Sequence, residues 1–89
     1  MRDLEDREAI ERRLRDDLDG ARADYEAAFR QFDSLVRDVA SGSLLPDGEE
    51  RLQQTGDVKN GALQNYTRAL SRFAHFTLSG TVPDDLLPR

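Results

Sequence analysis

LRDDLDGARADYEAAFRQFDSLVRDV, residues 14–39, is the stretch that decides the fold. Its apolar residues, Leu14, Leu18, Ala21, Tyr25, Ala28, Phe32, Leu35 and Val39, follow one another in steps of four and three. A spacing of about 3.5 residues, held without a break, marks a continuous helix with a narrow apolar seam along one side. Upstream the seam thins, because Arg7 and Glu11 occupy positions of the strict repeat while Ile10 falls beside it. Downstream, Ser41 to Gly48 collects Gly42, Pro46 and Gly48 among serines and an aspartate, residues that stop helices or build turns. The first helix is therefore expected over about 3–41, with a turn at 42–47.

A second seam follows the turn: Leu52, Gly56, Lys59, Leu63, Tyr66, Leu70, Phe73 and Thr77, again in steps of four and three, widened by Ala62, Ala69 and Phe76. Asp47 with Glu50 three residues later has the spacing of a reciprocal N-terminal cap. Gly80 suits a C-terminal cap and Pro83 forbids continuation, so the second helix is expected over about 48–78, with an extended tail at 81–89. Val82, Leu86 and Leu87 give the tail reason to fold back toward Leu4, Ile10 and Leu14. Gly56, Asn60 and Gly61 weaken this helix, and a break between Thr55 and Ala62 is the main alternative.

Laid antiparallel, the seams pair Val39 with Leu52, Ala28 with Leu63, Tyr25 with Tyr66, Ala21 with Leu70 and Leu18 with Phe73. Large residues oppose small ones at several levels, as close packing of helices requires. The expected fold is thus an all-α antiparallel hairpin forming one domain over 1–89. Its expected intrachain core is Leu14, Leu18, Ala21, Tyr25, Ala28, Phe32, Leu35, Val39, Leu52, Leu63, Tyr66, Leu70 and Phe73. The charges favour the same register, since Arg2 to Asp19 is dominated by acids whereas Val58 to Val82 carries Lys59, Arg68 and Arg72 and no acid.

A domain of 89 residues buries only about 60–65% of the surface its unfolded chain exposes, and with no cysteine it has neither disulfide nor thiolate zinc site to reinforce a thin core. Association is the remaining route. Phe29, Val36, Leu45 and Phe76 sit one step beside the strict seams and are the expected partner-facing residues. A formal charge of −5 repels nucleic-acid backbones, and no window approaches the roughly 20 apolar residues of a membrane span. The charge-dense Met1 to Asp19 is unlike an apolar leader and points to the cytoplasm. Arginine almost wholly replaces lysine, a composition suggesting a GC-rich bacterial genome.

No catalytic constellation emerges. His75 is the only histidine and lacks the spacing of a metal motif. Asp16, Asp17 and Asp19 point in different directions on a helix, so they cannot converge on one ion. Asp47-Gly48-Glu49-Glu50 lacks the spacing of a calcium loop, and no glycine loop for phosphate appears. Asn65-Tyr66-Thr67 matches the glycosylation pattern only by chance in mid-helix. No metal, cofactor or enzymatic activity is therefore expected.

In outline the chain is similar to the small exported helical hairpins that turn on a Trp-x-Gly, yet it has no tryptophan and no tyrosine after Tyr66 to begin their Tyr-x-x-x-Asp/Glu signal. That family is not assigned. The expected function is a non-enzymatic interaction module, two hairpins forming a four-helix bundle that serves as scaffold, adaptor or regulator. The alternative is a monomeric, acidic, chaperone-like or inhibitor-like hairpin that offers its apolar edge to a different protein.

Overall fold

The computed structural model describes residues 2–42 and 47–87, with side chains from Glu5 onward. Two helices account for nearly all of it: α1, Arg2–Ala40, and α2, Gly48–Ser79, packed antiparallel, followed by a 3₁₀ turn over Asp84–Leu86. The hairpin is a rod of 62 × 18 × 18 Å with a radius of gyration of 18.4 Å. A compact chain of this length would have a radius of about 12 Å.

Both helices end on glycine. Gly42 and Gly80 adopt φ 73°, a left-handed conformation that costs glycine nothing. The Gly80 amide donates to the Phe76 carbonyl at 2.9 Å, closing α2. The start of α2 differs from the sequence expectation. Asp47 stands at φ −88°, ψ 12°, and its side chain makes no capping hydrogen bond. A capping side chain reaches back to the helix amides from an extended backbone, which Asp47 lacks. Glu49 and Glu50 still lie in the first turn, where the helix dipole favours acids.

No break interrupts α2 between Thr55 and Ala62. Gly56 has a packing reason to be glycine, because a Cβ there would lie 3.2 Å from Cε2 of Phe32 on α1. The bare backbone admits that ring, and the Lys59 ammonium sits over it at 4.3 Å. Nothing in the structure explains Gly61, where a Cβ would meet no atom within 4 Å.

The level of the pairing is fixed by Tyr25 and Tyr66, whose rings stack with centroids 6.0 Å apart. On α1 the inward row runs through Leu14 and Ala28, both buried, with Ile10, Leu18, Ala21, Tyr25, Phe32 and Leu35 half-buried. On α2 it runs through Leu52, Gly56, Lys59, Ala62, Tyr66, Ala69, Phe73 and the buried Phe76. Three expectations are corrected here. Leu63 and Leu70, expected in the core, are 41% and 48% exposed, and Val39, two residues before Ser41 at the end of α1, is 41% exposed as well. The alanines take the inward places on α2 because a small residue lets the two backbones approach closely enough for the tyrosines to stack.

Charge also crosses the hairpin in an unexpected way. The ion pairs Arg13–Asp17, Arg15–Glu11, Arg22–Asp19 and Arg37–Asp33 all lie along α1. Cations that reach the other helix rest on rings instead: Arg7 over Phe76, Arg15 over Phe73 and Lys59 over Phe32. Such contacts stabilise by about 0.5–1 kcal/mol each at exposed sites. The tail is not wholly extended, since it contains the 3₁₀ turn. It folds back on α2, where Arg72 donates to both oxygens of Asp85 at 2.9 Å and Val82, Pro83 and Leu86 are half-buried.

Candidate docking face

Handedness sorts the remaining residues onto two faces. In an antiparallel pair of right-handed helices, rows lying one residue after Ala21 and Ala28 on α1 and after Ala62 and Ala69 on α2 share one side. Rows lying one residue before Leu18 and Tyr25, and before Tyr66 and Phe73, share the other. The second face is more polar: Asp17 of α1 lines one hollow together with Asn65, Arg68 and Arg72 of α2, although Val58, one residue before Lys59, is 60% exposed there. Arg72 anchors the tail there.

The first face carries Arg15, Arg22, Phe29 and Val36 from α1, and Leu63, Leu70 and Thr77 from α2, all exposed. Phe29 lies four residues beyond Tyr25, and Leu63 three before Tyr66, so the stacked tyrosines put Phe29 and Leu63 at nearly the same level. Phe29 is 47% exposed and touches its own helix neighbour Tyr25, with ring centroids 6.3 Å apart. Val36 continues the stripe one heptad on.

The α2 half of this face carries no charge: Asn60, Leu63, Thr67, Leu70 and Ala74 succeed one another in steps of three and four. Thr67 donates its hydroxyl to the Leu63 carbonyl at 2.9 Å, and Thr77 donates to the Ala74 carbonyl at 3.1 Å. With the hydroxyls bonded to their own helix, the methyl groups are left to meet a neighbour.

Of the four residues expected to face a partner, Phe29 and Val36 lie on this face. Phe76 is corrected: it is 5% exposed, inside the hairpin beneath Arg7. Leu45 lies outside the described residues. Leu63 and Leu70 belong to the face although the sequence reading assigned them to the core. Among the described residues, no three of His, Asp or Glu are placed to share a metal ion. Asp17 and Asp19 pair with Arg13 and Arg22 instead.

The sequence matches no family model, and neither the curated proteins nor the solved structures contain a match. Among the described residues, no helix is long and apolar enough to cross a membrane.

Proposed function

We propose that the chain is a non-enzymatic interaction module that works as a homodimer, two hairpins joining through the Phe29, Val36, Leu63 and Leu70 face to make a four-helix bundle. As a dimer it serves as a scaffold, adaptor or regulator. The observation that carries the reading is the uncharged row of α2 around Leu63 and Leu70, lying open beside Phe29 and Val36 of α1 along a rod with little interior.

The surface area supports it. The hairpin exposes 6991 Å² at 10.1 kDa. A compact monomer of that mass exposes about 5,300 Å², an excess of about 1,700 Å². The face from Arg15 to Val36 is about 30 Å long at 1.5 Å per residue, giving on the order of 550 Å² in plan across the 18 Å width. Accessible area exceeds plan area, which brings the face near the roughly 800 Å² that each partner buries in a standard interface.

The test is Phe29→Asp, which places a charge in the stripe and gives up, within the hairpin, the ring contact with Tyr25. Sedimentation equilibrium should give twice the chain mass for the wild type and the chain mass for the variant, with helicity by circular dichroism retained. A wild type that stays monomeric at several hundred micromolar refutes the reading, as does a variant of unchanged mass.

A further inference from the structure

We infer that the two copies meet with their α2 helices antiparallel and with Thr67 on the two-fold axis. The inference rests on the homodimer proposed above and specifies its register. A two-fold interface is self-complementary: if one residue meets a second on the partner, the second must meet the first. The uncharged row of α2 has this property about Thr67. Leu63 then faces the partner's Leu70 and Leu70 the partner's Leu63, Asn60 and Ala74 face each other in the same reciprocal way, and Thr67 meets its own copy.

The small threonine at the axis, its hydroxyl bonded to the Leu63 carbonyl, presents a methyl to a methyl. No acid or base of α2 enters the seam. Pairing of the α1 rows about Phe29 is disfavoured by comparison, since it sets Glu26 against the partner's Asp33.

The same axis also suits α1, which is an independent observation. Through the Tyr25–Tyr66 stack, Thr67 is level with the segment around Asp24. On this face α1 carries Arg15 and Arg22 before that level and Glu26 and Asp33 after it. Rotation about the axis sets Arg22 opposite the partner's Glu26 and Arg15 opposite the partner's Asp33. Glu11 and Asp19 are acids on the basic side that do not fit the scheme, and Asp19 falls opposite the partner's Phe29. The ion pairs these groups now make, Arg22–Asp19, Arg15–Glu11 and Asp33–Arg37, are exposed and join residues three or four apart, so exchanging them costs little, although Arg15 also gives up its place over the Phe73 ring.

The chain has no cysteine, so single thiols report the register directly. Helices packed over small residues at about 8 Å bring Cα atoms on the axis to roughly 4–6 Å, within reach of a disulfide. Thr67→Cys should oxidise to a covalent dimer at micromolar concentration while remaining helical, and Asn65→Cys, on the opposite face, should not. A wild type of dimer mass in which Thr67→Cys stays unlinked overturns the register and leaves the dimer standing, as does faster linking of Asn65→Cys. A wild type that is monomeric overturns both.

Discussion

Gly61→Ala tests the continuity of α2 at the point where Asn60-Gly61 most resembles a turn. The structure runs the helix through both residues, and a Cβ at Gly61 would meet nothing within 4 Å. The substitution therefore adds no clash and removes the helical penalty of glycine, a stabilisation of about 1 kcal/mol. Gly56→Ala removes the same penalty, but its Cβ would stand 3.2 Å from the Phe32 ring. That ring must yield by a few tenths of an ångström under the Lys59 ammonium, so the net gain should fall between zero and about 1 kcal/mol. For a domain of this size, 1 kcal/mol moves the melting temperature by roughly 4–8 °C. Thermal melts at 222 nm, at one protein concentration so that association does not shift the midpoint, should rank Gly61→Ala above Gly56→Ala and both at or above the wild type. A destabilised Gly61→Ala would mean that the backbone there is not helical. Equal gains at the two sites would remove Phe32 from the place given to it.

Other substitutions separate the inside from the outside. Phe76→Ala should cost about 3 kcal/mol in urea denaturation, because its ring is buried, whereas Leu78→Ala, 86% exposed, should change stability by less than about 0.5 kcal/mol. Asp85→Ala should release the tail with a global cost below about 1 kcal/mol, since Asp85 is 62% exposed, and should speed amide exchange in Val82–Leu87 while leaving the Tyr25–Tyr66 region protected. Similar exchange rates for wild type and Asp85→Ala throughout the tail would show that the Arg72–Asp85 pair does not hold it.

The first helix was legible because one row on it is more apolar than any other, so the spacing from Leu14 to Leu35 left a single way to turn it inward. The second helix carries two overlapping rows, and hydrophobicity alone picks the wrong one at its centre. Leu63 and Leu70 outweigh Ala62 and Ala69 in any local count. Their positions differ by one residue, a rotation of about 100°, and the choice depends on which row lets Tyr25 reach Tyr66 and Phe76 close the end. Both are facts about the partner helix. The same limit explains Phe76, read as an outward residue because it lies beside the strict repeat. The cap expected from Asp47 and Glu50 failed differently, because spacing supplies the side chains but not the extended backbone that capping needs. Of the face itself, Phe29 and Val36 were readable as flankers of a clear seam, and its α2 half appeared only once the alanines were seen to be inside.

At 18 Å across, the rod is two helices thick where α1 and α2 overlap, and each level there leans mainly on the levels directly above and below. Such a ladder has no central keystone. Opening begins at the ends and travels rung by rung, and a defect at one level is felt little a few turns away. The arrangement is also indifferent to length: removing one heptad from each arm at matching levels would shorten the rod by about 10 Å and leave every surviving rung facing its former neighbour.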